Sequence, residues 1–403
     1  MLLNRYRDLF RVPAIRATLL ASIPGRLPIG IAGFAILLLV QNKSGSFITA
    51  GVASALYVLG LATIAPLVGR ITDRAGPRPV LRACALIYPA MLIALVVLVS
   101  VQAHAFAIAL CAYVAGAALP PVTICMRTLY PRVLTDSALL QTAYSVDSVI
   151  VESVFVVGPA LVAMFLAFGF PSGAVLLAAL TAAVGTLWFI RTPVIRDWEI
   201  RPRGDSGRWG IFAEPGLLVL FAATVLYSMA FGLYEVGVTA YATQRGTPAA
   251  AGIALALASF GSALGAFAYG AWHWQAPLRK QFLIALGLMA TGSLIVAPVS
   301  NIYLYLLANF IAGAPMASVI ATQSLLLSRL APRGMLAESF TWGGTSLLGG
   351  ISGGIALGGV LAETIAPAWI LVSAAVATAT AALIASTIPH SEKLNVVGEH
   401  YVS

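Results

Sequence analysis

About twelve times along this chain an apolar run of roughly twenty residues gives way to a short polar loop, and that recurrence leaves little choice of fold. A run of that length crosses a ~30 Å hydrocarbon core as one helix. Only 9% of the residues are charged, too few to cover a water-soluble surface. The runs fall at 15-40, 46-68, 80-101, 104-127, 138-167, 171-190, 214-243, 249-272, 281-299, 302-328, 337-362 and 366-388. They predict an all-α membrane protein with about twelve transmembrane helices embedded in the lipid bilayer.

The basic residues then give the sidedness. Arg5, Arg7, Arg11 and Arg16 precede the first span; Arg70, Arg74, Arg78 and Arg82 lie between the second and third; Arg127 and Arg132 follow the fourth. The same side receives Arg191, Arg196, Arg201, Arg203 and Arg208, then Arg279 and Lys280, Arg329 and Arg333, and finally Lys393. Lys43 and Arg245 fall in opposite loops. The positive-inside rule places both termini and the middle loop in the cytoplasm of a cell whose inner membrane the protein spans. The net charge of +9 is accounted for by this asymmetry and does not imply nucleic acid. The first run follows basic residues as a signal peptide would, but it is too long for one, contains Arg26 and lacks a small-residue cleavage site.

Soluble chemistry finds no footing. Cys84, Cys111 and Cys125 fall inside spans at no metal-ligand spacing, and His104, His273, His390 and His400 are scattered without a carboxylate or cysteine partner. No glycine loop with lysine cradles a phosphate, so the chain is expected to be neither an enzyme nor driven by ATP. No cofactor is expected, and an ion gradient is the energy source that remains.

Residues 192-213 form the one long polar stretch inside the chain, with Pro193, Pro202, Gly204, Gly207 and Gly210 among mixed charges. This linker divides an N-terminal six-helix bundle, 1-191, from a C-terminal one, 214-388, with a tail at 389-403. A weak internal repeat agrees: Gly270 to Lys280 occupies the place of Gly69 to Arg78, and the start of the eleventh span, around Glu338, echoes the start of the fifth. Two parallel, pseudo-symmetric six-helix bundles form a transporter architecture.

One charged stretch carries a family likeness. Gly69-x-x-x-Asp73-Arg74-x-Gly76-x-Arg78 resembles the signature loop of the major facilitator superfamily, with Pro77 at a position often basic there. The resemblance implies a conformational latch in which Asp73 meets the start of the eleventh span and Arg74 reaches Glu338. Gly158-Pro159 is similar to the signature of the drug/proton antiporter branch and implies a hinge in the fifth span, although Leu161, Val162 and Ala163 stand where glycines usually follow. The arginine that exporters often carry four residues before a glycine in the fourth span is here Ala112, ahead of Gly116.

Charges inside the bilayer cost at least ~2.5 kcal/mol each and mark candidate sites. Arg26 lies roughly 16 Å into its span, between the depths of Asp147 and Glu152 at roughly 12 and 20 Å into theirs. An Arg26 pairing with either acid would offer proton coupling; the bland alternative is a static ion pair. Asp147 and Glu152 are five residues apart and face different ways, so one acid is expected to be free. Tyr227, Tyr234 and Tyr241 recur every seventh residue beside Glu235. By the resemblance, the first, fourth, seventh and tenth spans line the cavity, which would give it Arg26, Thr123, Tyr227, Tyr234, Glu235, Asn309 and Gln323. Each polar residue alone could equally serve as a satisfied interhelical bond. Helix breaks are expected at Pro120-Pro121, Gly158-Pro159 and Gly313-Ala314-Pro315, with Pro24 and Pro28 bracketing Arg26.

The expectation is a monomeric secondary transporter that exports a small, partly apolar compound against protons by rocking its two halves. The alternative is an importer or facilitator of a metabolite whose anionic group could pair with Arg26. A lipid scramblase or non-transporting membrane protein is the third possibility.

Overall fold

The structure, a computed structural model, describes residues 2–44, 47–200, 211–245, 248–272, 274–299 and 301–389. His273, His390, Lys393, His400 and linker residues 201–210 lie outside the described residues. The first half contains α1 (Leu2–Arg11), α2 (Pro13–Ser44), α3 (Phe47–Ala75), α4 (Pro77–Ser100), α5 (Ala105–Ala117), α6 (Val122–Val133), α7 (Ser137–Ala167) and α8 (Pro171–Arg191). A short α9 (Pro193–Arg196) opens the linker. The second half contains α10 (Pro215–Gln244), α11 (Pro248–Ala271), α12 (Leu278–Val296), α13 (Ile302–Gly313), α14 (Met316–Leu330), α15 (Leu336–Thr364) and α16 (Pro367–Ala385). α5 with α6, and α13 with α14, each make up one span, so among the described residues 12 spans are long and apolar enough to cross a membrane.

The two broken spans occupy equivalent places in the two halves. Pro120 and Pro121 offer no backbone donor, so the ladder lapses after α5 and restarts at Val122. Pro315, just after Gly313, likewise offers no donor between α13 and α14. The expected interruption at Gly158-Pro159 is absent, because α7 runs through it without a gap. A single proline removes one donor, and here the helix is clamped: a side chain on Gly158 would collide with the Gly30 carbonyl of α2. Pro24 and Pro28 likewise lie within an unbroken α2.

The packing repeats. α2 packs on α7 and α8, α3 on α5, and α4 on α5 and α8; in the second half α10 packs on α15 and α16, α11 on α13, and α12 on α13 and α16. A glycine pair marks one repeated crossing. The bare Cα of Gly60 meets the Tyr113 carbonyl and that of Gly116 meets the Tyr57 carbonyl. Gly261 meets Phe310 and Gly313 meets Ala258 in the same fashion, each contact residue standing three before the opposing glycine, as in the first half.

The halves join through α3 on α15 and α7 on α11 and α14. One apolar cluster includes Leu129, Tyr130 and Tyr144 of the first half together with Tyr227, Met335 and Phe340 of the second. These lie toward the arginine-rich face, which is therefore closed. A separate cluster holding Ile31, Leu39, Tyr57, Tyr88 and Val175 belongs to the first half alone.

Two span limits move, with consequences for the charges they carry. The charged stretch after Gly69 is helix, since α3 continues to Ala75 and only Gly76, at φ 77°, separates it from α4. That left-handed turn suits glycine, and its open side faces Trp198 of the linker. α6 extends to Val133, which brings Arg127 from the expected loop into the fourth span.

Candidate functional site

Contacts between α3 and the start of α15 are present, with Arg70 where Arg74 was expected. Asp73 accepts the Ala337 and Glu338 N–H groups at 3.0 and 2.8 Å, so a carboxylate of α3 caps the N-terminus of α15. Gly69, one turn earlier on α3, lets α15 approach until the Thr341 side chain and the Ala337 carbonyl would block any Cβ there. The Glu338 carboxylate is taken by Arg70, whose Nε and Nη2 lie 3.0 and 2.6 Å from Oε1. Arg74, expected in that role, is exposed. Rotation does not separate the two arginines, since 70 and 74 are about 40° apart around α3; Arg74 sits one turn, roughly 6 Å, further along the helix. Arg78 does not bridge the halves either; its Nη1 donates to the Arg196 carbonyl at 3.1 Å and ties α4 to the linker. Gln141 and Thr142 of α7 add bonds to the Tyr269 and Gly270 carbonyls of α11, at 2.8 and 2.9 Å.

Deeper in the first half, Arg26 pairs with Asp147, Nη2 to Oδ1 at 2.7 Å, with the two side chains 1% and 0% exposed. α2 and α8 cross backbone to backbone at Gly25 and Gly185, and this seats Arg26 in the bundle interior. Two further residues complete the cluster: Arg127 Nε lies 2.7 Å from Asp147 Oδ2, and the Tyr130 hydroxyl donates to Oδ1 at 3.2 Å. Sequence reasoning passed over both. Their spacing alone did not reveal the pair, because Arg127 lies seven residues before the α6–α7 turn at Leu134 to Asp136 and Asp147 eleven residues after it.

Glu152 turns away from this cluster. Half-buried on α7, it accepts the Ser262 hydroxyl of α11 at 3.3 Å. Ser262 Oγ in turn accepts the Ala317 N–H at 3.0 Å, in the first turn of α14 just past the broken span. A carboxylate of one half is thus linked through one hydroxyl to a helix N-terminus of the other.

A family model described as Major Facilitator Superfamily matches residues 18–246, more than half of the chain. The chain belongs to the major facilitator superfamily. It is a membrane transporter with the all-α, twelve-helix fold of that superfamily. An uncharacterized MFS-type transporter of Sinorhizobium fredii is 25% identical over 311 residues, 71% of this chain and 73% of that one. Among solved structures, a bacterial homologue of the iron transporter ferroportin in its outward-facing state superposes at a TM-score of 0.77, with 15% identity over 92% of this chain and 98% of that one. The E. coli fucose:proton symporter gives 0.72, at 11% identity over 94% and 99%. At such identities the likeness is one of fold.

Within this major facilitator fold the residues expected on a cavity wall are distributed differently. Tyr227 and Tyr234 are buried inside the second bundle, where their hydroxyls donate to Gln323 Oε1 and Asn309 Oδ1, each at 2.7 Å. Gln323 continues to Thr224 at 2.9 Å and Asn309 to the Tyr305 carbonyl at 2.8 Å. The correction has a plain cause: a buried amide and a buried phenol each need a partner, and these satisfy one another across α10, α13 and α14. Glu235 is exposed and borders a cleft of about 530 Å³ between α10 and α15, beside Thr239, Gln244 and Ile355. Thr123 stays near the first half's charges, in the first turn of α6, one turn before Arg127.

Proposed function

We propose that this transporter couples export of a small amphipathic compound to proton entry, by rocker-switch alternation between its halves in a bacterial-type inner membrane with both termini cytoplasmic. The observation that carries this reading is the contact of Glu152 with Ser262. Ser262 Oγ uses its acceptor side for the Ala317 N–H, so its proton goes to Glu152. When the halves separate at that level, an ionised Glu152 loses its donor and stands bare in an apolar helix face, a state that protonation relieves. Proton binding and the swing of the halves are thereby tied to one side chain. Asp147, held between two arginines and a tyrosine, is instead a fixed anchor of the first bundle. The latch of Asp73, Arg70 and Glu338 holds the arginine-rich face shut, and Gly76 and Arg78 set the turn beside it.

The test is proton exchange on adding candidate amphipathic compounds to purified protein in weak buffer. Glu152→Gln is expected to bind compound without releasing protons. Asp147→Asn, which leaves two guanidinium groups uncompensated, is expected to lose folded yield before it changes stoichiometry. Proton release by Glu152→Gln equal to that of the parent would refute the assignment.

A further inference from the structure

The buried ion cluster does not balance. Arg26 and Arg127 share the single carboxylate of Asp147, which leaves one surplus positive charge within the membrane-spanning part. The other acids of the interface are engaged elsewhere, Glu152 with Ser262, Glu338 with Arg70, and Asp73 with the α15 N-terminus. A lone positive charge in a low-dielectric site repels cations and is stabilised by an anion.

We propose that Arg127 receives the acidic head of the transported compound, which makes the substrate a small amphipathic monoanion such as a carboxylate or sulfonate. This rests on the reading above that a small amphipathic compound is moved. Of the two arginines, Arg26 is 1% exposed and belongs to the bundle interior, whereas the Arg127 side chain is 17% exposed. Asp147 holds Arg127 by Nε, leaving the two Nη groups, the edge whose fork matches an oxyanion. The Arg127 backbone is also fixed, since its carbonyl accepts the Tyr144 hydroxyl at 2.9 Å. The guanidinium is therefore oriented before any ligand arrives, which limits the entropy lost on binding. One turn along the same face of α6, the Thr123 hydroxyl is buried with no partner among the described residues and can donate to the same anion. α6 packs against α15 of the second half, so the anion would sit between the two halves. Beneath, toward the arginine-rich face, Tyr144 and Phe340 meet across the halves with ring centroids 6.2 Å apart and close the floor.

The probes are benzoate and benzenesulfonate, with benzamide as the uncharged counterpart and benzyltrimethylammonium as the cation. Each is added at millimolar concentration to the purified full-length protein while its thermal unfolding is followed. Both anions are expected to raise the unfolding temperature, and benzamide and the cation are not. Arg127→Gln should weaken the anion response about tenfold or more in apparent affinity. Arg127→Lys should keep part of it, and Thr123→Val should weaken it with the fold intact. No shift with either anion, an equal shift with benzamide, or an anion shift unchanged in both Arg127→Gln and Thr123→Val overturns the proposal. Glu152→Gln is expected to keep the anion response. A failure of proton coupling in that variant is thus read separately from a failure of anion binding.

Discussion

Arg70 binds Glu338 across the interface between the two halves, with Nη2 2.6 Å from Oε1. Glu338 is 2% exposed and Arg70 24%, so the pair is a charge-assisted bond with one end in water, worth about 1–2 kcal/mol after screening. Arg70→Ala should favour opening of the arginine-rich face by that amount, and Arg74→Ala should leave it unchanged. Spin labels on the exposed Ser137 and Gln275 would report the distance across that face. A double-mutant cycle with Glu338→Ala should return a coupling of the same size, and additive effects would mean that the pair does not hold the halves.

Asp73 acts on the same helix by a different route. Its two oxygens cap the first turn of α15, so Asp73→Ala leaves the Ala337 and Glu338 N–H groups without their acceptor at a cost of about 1–2 kcal/mol. Asp73→Asn can still accept one of these bonds and should lie between parent and alanine. The same label pair measures the order, and an asparagine variant as open as the alanine one would place the effect in charge rather than in capping.

Gly158 and Pro159 separate close packing from hinge motion. A methyl group on Gly158 meets the Gly30 carbonyl, so Gly158→Ala should lower thermal stability by about 1–3 kcal/mol as α7 is pushed off α2. Pro159 sits inside a continuous helix, and Pro159→Ala restores a backbone donor. Transport by Pro159→Ala is expected near the parental rate. A variant that is stable but transports poorly would return the hinge role to this proline.

Much of the fold was legible because it follows from one-dimensional quantities. Span length and the prolines of the broken spans each act locally, and both reappear in the structure, from Pro121 before α6 to Pro315 before α14. The site was less legible because it depends on relative rotation and height between helices. The seven-residue spacing of Tyr227, Tyr234 and Tyr241 correctly puts them on one face of α10, but spacing cannot say that this face turns into the bundle toward Gln323 and Asn309. Arg127 escaped because hydropathy ended its span too early, and Arg70 because a helical stretch looked like a loop. Arg26 could be matched to Asp147 or Glu152 by depth alone. Only the position of Ser262 on a helix of the other half separates the roles of the two acids.

The N-terminal helix α1 offers the last prediction, since it touches both halves at the closed face. It packs on α2 and α7 of the first half and on α11 of the second. Tyr6 stacks on Phe267 of α11 with centroids 4.4 Å apart and donates its hydroxyl to the Phe267 carbonyl at 2.5 Å, while Arg5 reaches the Trp272 carbonyl at 2.9 Å. Burial pushes the Tyr6 phenol above its ordinary value, because the docked site disfavours phenolate. The docked form therefore holds the proton more tightly than the free one. Its stabilisation is complete below about pH 10, the usual tyrosine value, and falls as pH rises beyond that. Tyr6→Phe keeps the stacking, loses about 1 kcal/mol of hydrogen bonding and removes this alkaline slope. Hydrogen exchange of the α1 amides between pH 8 and 11, after correction for the intrinsic rate, should show the parent loosening with pH and the phenylalanine variant remaining flat. Equal slopes in the two proteins would mean that Tyr6 does not govern the docking of α1.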